Sequence, residues 1–115
     1  MVDLGFLEKF TKGDTQKMQR YIKLYLDVAP QTFADMKQNL KDKDWEQLRI
    51  NAHSLKPQAE FMGILSLKDA LATIEEAVHN KTINNIIDNF NAANTHYLNS
   101  TKLLKDILVK LNKNE

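Results

Sequence analysis

The sequence predicts an all-α fold, an antiparallel up-down-up-down four-helix bundle with a short additional N-terminal helix. Three observations carry that prediction. Three glycines and two prolines among 115 residues are about a third of ordinary usage, which suits a chain that turns rarely. Apolar residues recur in steps of three and four, the spacing of a helix face packed in a bundle. The segments between these stripes are short, so consecutive helices must lie antiparallel. The length fits one domain over residues 1–115, large enough to bury roughly two-thirds of the surface its unfolded chain exposes.

Each element has its own signal. Leu4, Phe6, Leu7 and Phe10 form a short amphipathic segment, a lid on the bundle, which Gly13-Asp14 separates from the next helix. That long helix begins near Thr15, with Met18, Ile22, Tyr25, Ala29, Phe33, Met36 and Leu40 as its stripe. Pro30 removes one backbone hydrogen bond within it and predicts a kink. The charged run Lys41-Asp42-Lys43-Asp44 is the next turn. Asp44 N-caps the following helix, and Gln47 completes a capping-box pattern. That helix has the seam Trp45, Leu48, Ala52, Leu55, Ala59, Met62, and Gly63 is its natural stop. Ser66 is placed to cap a helix with the seam Leu67, Leu71, Ile74, Val78. Asn80 and Lys81 break it, and Thr82 opens the last helix. Its inward residues are Ile83, Ile86, Ile87, Phe90, Tyr97, Leu104, Leu108 and Leu111, in a stretch rich in the weak helix former asparagine.

Composition excludes several classes of function. Apolar residues are 43% and charged residues 27%, which fits neither a disordered tail nor a membrane protein. No run approaches the roughly 18 apolar residues that span a bilayer, and Met1 to Gly5 does not read as a secretion signal. The absence of cysteine excludes disulfides and thiolate chemistry. A net charge of +1 is too balanced to favour nucleic acid. These features predict a cytoplasmic protein with neither nucleic acid nor membrane as partner.

The stretch from Ala52 to Gly63 holds the chemistry. His53 follows a seam residue directly, so it sits about 100° around the helix from Ala52, at the edge of the core and open to water. Glu46, Arg49, Lys56 and Glu60 share its side. Lys56, at i+3, can approach anything bonded to the imidazole. Pro57 removes the hydrogen bond to the His53 carbonyl, at a cost of about 3 kcal/mol in a helix interior. Such a cost beside an exposed histidine points to a site. If the chain reverses near Ile64, His53 and Glu75 are equidistant from the turn and lie level on the two helices. A carboxylate accepting the Nδ1 proton would leave Nε2 bare and outward as a nucleophile.

These residues resemble the histidine phosphotransfer (HPt) domains of multistep two-component relays. The matching signature is Ala52-His53-Ser54-Leu55-Lys56, then Met62-Gly63 and Leu67, and the resemblance covers nearly the whole chain. It implies that His53 is phosphorylated and that Lys56 helps to hold the phosphoryl group. Glu75 falls where the family places a Gln or Glu bonded to the histidine. It further implies a monomer without ATP-dependent kinase activity of its own, which works with response-regulator receiver domains and a hybrid sensor histidine kinase. Mg²⁺ would belong to the receiver. Arg49, Pro57 and Glu60 are read as the receiver docking surface, and Pro57 stands where the family usually has glycine.

Competing readings are weaker. His79 and His96 carry no signature. Glu76 and His79 form one Glu-x-x-His, whereas a di-iron bundle needs two such pairs and two more glutamates, so no metal is expected. No cofactor is expected either, and there is no glycine-rich nucleotide loop. A sensor-kinase dimerisation domain usually has an acidic or amide residue after its histidine, where this chain has Ser54. The alternative of a different class is a phosphorylation-silent helical interaction module.

Overall fold

A computed structural model of the protein describes residues 1–113. Among them the elements are α1 (Gly5–Phe10), α2 (Thr15–Asp42), α3 (Trp45–Phe61), α4 (Leu65–His79), a 3-10 turn (Ile83–Asn85) and α5 (Ile86–Lys113), with no strand. Helices α2 to α5 pack in a ring, each against its sequence neighbours and α5 back against α2. That is the antiparallel four-helix bundle the apolar spacing predicts. The predicted seams are its core: Met18, Ile22, Tyr25, Ala29, Phe33 and Met36 of α2 are buried with Leu48, Ala52, Leu55 and Ala59 of α3. Leu67, Leu71 and Ile74 complete it from α4, and Phe90, Tyr97 and Leu104 from α5. Phe33 stacks on Tyr97 with ring centroids 4.3 Å apart.

With so few glycines, the chain makes its reversals largely with lysine. Lys12, Lys43 and Lys81 all take positive φ, at 55°, 55° and 59°. All three end helices in the same way, and after α1 the Gly13 amide reaches back to the Glu8 carbonyl at 2.9 Å. After α2, the Asp44 amide reaches back to the Asn39 carbonyl at 2.9 Å, and after α4 the Thr82 amide reaches Ala77 at 2.8 Å. Gly63 does the same after α3, with φ +69° and the Ile64 amide on the Ala59 carbonyl at 2.9 Å. A left-handed residue at this position satisfies helix-end carbonyls that would otherwise lack donors. At Gly63 a further constraint applies. The Asp3 amide donates to the Gly63 carbonyl at 3.0 Å, and a Cβ on Gly63 would stand 1.6 Å from the Asp3 backbone oxygen. Gly63 therefore admits the N-terminal segment, which carries α1 with buried Leu7 against the bundle.

Several local expectations need correction. Ser66 does not cap α4: the helix begins one residue earlier, at Leu65, with Ile64 at its N-cap and no side-chain cap. Buried Ile64 is drawn into the core, which moves the start. The Asp44 side chain does cap α3, accepting from the Gln47 amide at 3.2 Å. Gln47 does not reach back, because the Asp44 amide is already bonded to Asn39; its side chain turns to Asn51 at 3.4 Å. Thr82 opens the 3-10 turn rather than α5. The changed phase there leaves Ile86 buried and Ile87 exposed. Phe6 and Phe10 are also exposed, and only Leu7 of α1 is buried. Both prolines lie inside continuous helices, Pro30 in α2 and Pro57 in α3.

Two substitutions test this account of the turns. Gly63→Ala should lower stability by more than the roughly 1–2 kcal/mol cost of a left-handed residue, because its Cβ also displaces Asp3. Lys43→Gly should raise stability by about 0.5–1 kcal/mol, the relieved backbone strain less the added unfolded-state entropy. Urea unfolding of both variants reads the two signs, and a neutral Gly63→Ala would contradict the close approach.

Candidate functional site

His53 lies on α3, eight residues after its first residue Trp45, and presents a side chain that is 67% exposed. The turn at Gly63 brings α4 back antiparallel, so Glu75 stands beside it, level across the turn. The Glu75 side chain is 19% exposed, held at the core edge by its neighbour Ile74. His53 Nδ1 is bonded to Glu75 Oε2. A carboxylate can only accept, so Nδ1 carries the proton and, in the neutral ring, Nε2 has a free lone pair directed to solvent.

Lys56 completes the group in a way the sequence does not disclose. Its ammonium donates to Glu75 Oε1 at 2.7 Å, with the side chain 26% exposed. One carboxylate thus holds the imidazole with one oxygen and the ammonium with the other. Partial burial pushes the Glu75 carboxyl up, but the hydrogen bonds and charges of Lys56 and His53 outweigh it and hold the group below its ordinary value of 4.5. Glu75 is therefore ionised at neutral pH.

The remaining predicted residues divide between two sides of His53. Arg49, one turn before it, donates from Nε to Glu46 at 3.0 Å and lines a cleft with Ala72, Glu75, Glu76 and His79. His79 thus borders the site without touching His53, whereas His96 lies on α5. Pro57 and Glu60, one and two turns after His53, line a second, more apolar cleft with Phe6, Phe61 and Leu65. Glu60 pairs with Lys68 at 3.2 Å. Arg49 is thus separated from Pro57 and Glu60 by the histidine itself. Among the described residues no group of three or more His, Asp or Glu is placed to hold a metal ion.

The apolar surroundings of Pro57 were missed in the sequence. Phe61 packs against Phe6, Phe10 and Tyr21 with ring centroids 5.2 to 5.4 Å apart. The available signal was the i, i+4 spacing of Phe6 and Phe10 in so short a helix, which lets both rings lie on one face with Leu7 on another.

A helical bundle that offers an exposed imidazole held by a carboxylate at the core edge has the form of a phosphotransfer module. The family model for the Hpt domain matches residues 20–108, a span that includes His53, Lys56 and Glu75, and the chain belongs to that family. It is a histidine phosphotransfer intermediate of a phosphorelay. The crystal structure of histidine-containing phosphotransfer protein B (HptB) from Pseudomonas aeruginosa PAO1 is similar, with a TM-score of 0.88 over 95% of each chain and 16% sequence identity. At that identity the likeness is one of fold. No curated protein matches the chain in sequence.

The shared carboxylate makes a titration prediction. A carboxyl-carbon NMR titration should place Glu75 below 4.5, and Lys56→Met should move it upward by removing a hydrogen bond and a charge. Because the folded value is depressed, the ionised group stabilises the fold above the ordinary glutamate range. That contribution is lost as pH falls through the folded value. A Glu75 that titrates above its ordinary value, or ignores Lys56→Met, would contradict the bridge.

Proposed function

We propose that His53 is the phosphoacceptor, taking a phosphoryl group from the aspartate of one receiver domain and returning it to that of another. The observation that carries this reading is the single carboxylate of Glu75 bonded to both His53 and Lys56. The Nε2 lone pair attacks the phosphorus of the aspartyl phosphate. The N–P bond forms as the P–O bond to the aspartate breaks, and the carboxylate leaves with the bonding pair. No proton need move: Nδ1 keeps its hydrogen, and the phosphorylated ring becomes an imidazolium whose positive charge faces the Glu75 carboxylate. Transfer to the second receiver reverses these steps.

The chain's own contribution is positioning and charge. A misplacement of about 1 Å can cost about 100-fold in rate, so a nucleophile fixed by a carboxylate between two packed helices is already part-way to reaction. Lys56, one turn from His53, supplies positive charge for the phosphoryl oxygens, within the reach of its flexible stem. We read residues 1–115 as one module, acting as a monomer in the cytoplasm with receiver domains and a hybrid sensor kinase. No helix among the described residues is long and apolar enough to cross a membrane. Arg49, Pro57 and Glu60 flank His53 where a docking receiver would touch them.

The direct test is incubation with a receiver domain labelled on its aspartate. Wild-type protein should acquire label that is stable to alkali and labile to acid, and His53→Gln should acquire none. The exposed side chain contributes little packing, so that variant should keep its stability within roughly 0.5 kcal/mol. Label persisting in His53→Gln would move the site to His79 or His96. Binding without transfer by wild type would favour the silent interaction module.

Glu75 has its own graded test. Glu75→Gln keeps an acceptor for the Nδ1 proton and should retain most of the transfer rate. Glu75→Ala frees both the imidazole and the ammonium, and should slow transfer by about 100-fold. Equal rates in Glu75→Ala and wild type would remove Glu75 from the mechanism.

A further inference from the structure

Arg49 and Lys56 stand on either side of His53 along α3, but they are held very differently. Lys56 is bonded to Glu75 at 2.7 Å, and both of those side chains are largely covered. Releasing it would strand a partly buried carboxylate, which is costly. Arg49 is bonded instead to Glu46, through Nε at 3.0 Å and through a terminal nitrogen, and the Glu46 side chain is 67% exposed. An ion pair in water contributes little, and a released Glu46 is simply hydrated. A cleft of about 390 Å³ between Arg49 and the α4 residues Ala72, Glu76 and His79 leaves the guanidinium unpacked on that side. Of the two cations, Arg49 is the one able to change partner.

His53 and Arg49 are four residues apart, hence neighbours on one helix face. Side chains on a helix lean toward its N-terminus, so the imidazole lies over the turn that carries Arg49. Glu75, which holds Nδ1 of that imidazole, also walls the Arg49 cleft, and its charge acts on the guanidinium in addition to that of Glu46. A phosphoryl group on Nε2 brings nearly two negative charges and three acceptor oxygens into this neighbourhood. Glu46 and Glu75 already match the charges of Arg49 and Lys56. Lys56 can turn a spare N–H outward without leaving Glu75, but a second full cation requires Arg49 to leave Glu46. The planar fork of a guanidinium fits two phosphoryl oxygens at once, whereas both of its present bonds fall on the single Oε1 of Glu46.

We propose that Arg49 is a clamp for the phosphorylated state. When His53 carries the phosphoryl group, the guanidinium leaves Glu46 and donates to two phosphoryl oxygens, while Lys56 remains on Glu75. No covalent bond changes in this exchange: a surface carboxylate is traded for a dianion, and Glu46 returns to water. The inference rests on the reading of His53 as phosphoacceptor and adds a ligand for the group it carries. It also gives Glu46 a role, holding the guanidinium beside His53 until the phosphoryl group arrives.

The test needs no receiver, which separates the clamp from docking. The full chain carrying His79→Gln and His96→Gln, with His53 as its one histidine, is phosphorylated with potassium phosphoramidate. As the bond to Nε2 forms, the N–P bond of the reagent breaks and ammonia leaves with the bonding pair. Phosphorus NMR then follows the last ionisation of the phosphoryl group against pH, and circular dichroism melts confirm that each variant is folded. Arg49→Ala should raise that midpoint by about one pH unit, a tenfold gain in proton affinity, because a cation bound to the group favours its dianion. Arg49→Lys keeps the charge without the fork and should fall between. Glu46→Gln should lower the midpoint, and should have no effect once Arg49 is alanine. A midpoint unmoved by Arg49→Ala, or equal in Arg49→Lys and the parent chain, would overturn the clamp and leave the phosphoacceptor reading intact. An equal shift from Glu46→Gln with and without Arg49 would do the same, assigning the effect to charge acting through space. Failure to form phosphohistidine at all would overturn the phosphoacceptor reading, and the clamp with it.

Discussion

The reversal at Gly63 governs the chemistry of this protein, because it sets the register of α3 against α4. The two helices meet in a connection of three residues, Met62 to Ile64, too short to allow a second register. With φ at +69° and the Ile64 amide on the Ala59 carbonyl, the turn leaves residues equidistant from Ile64 level with one another. His53 and Glu75 are such a pair. Shifting one helix by a single residue would rotate its side chains by about 100° and carry the carboxylate away from the imidazole. The same glycine seats Asp3 and, through it, α1, whose phenylalanines brace Phe61 beside the histidine. Thus one backbone conformation supports both the nucleophile and the apolar surface next to it.

Glu75 joins the two helices electrostatically. It is ionised despite partial burial because two donors reach it, and each donor is oriented in return. Its value lies less in global stability than in geometry, since a partly exposed ion pair contributes modestly. The imidazole needs a fixed ring plane and a bare Nε2, and the ammonium needs to wait nearby without occupying that nitrogen. A single carboxylate with two oxygens meets both needs. Placing all three residues on helices rather than loops keeps their separation tight.

The sequence disclosed those features that depend on periodicity. Helical seams were readable because burial repeats every three or four residues. The His53–Glu75 pairing was readable because a short antiparallel turn converts sequence distance into height along the bundle. Features set by local competition were hidden. Ser66 looks like a cap, but burial of Ile64 starts the helix earlier. Ile87 fits the stripe until a 3-10 turn shifts the phase by less than one residue. Phe6 and Phe10 look like core residues, and their exposure is decided by where α1 crosses the end of α3, which no local pattern encodes. The link from Lys56 to Glu75 depends on a side chain able to point several ways, and helical spacing narrows that choice without making it.

The central claim is that Glu75 holds His53 with its proton on Nδ1 and its nucleophilic nitrogen bare. The measurement closest to it is a long-range ¹H–¹⁵N correlation of the His53 ring in uniformly labelled protein. In the neutral ring the tautomer is read directly from the two nitrogen shifts. The account predicts a protonated Nδ1 and an unprotonated Nε2 as the dominant form. A spectrum in which Nε2 carries the proton would contradict it.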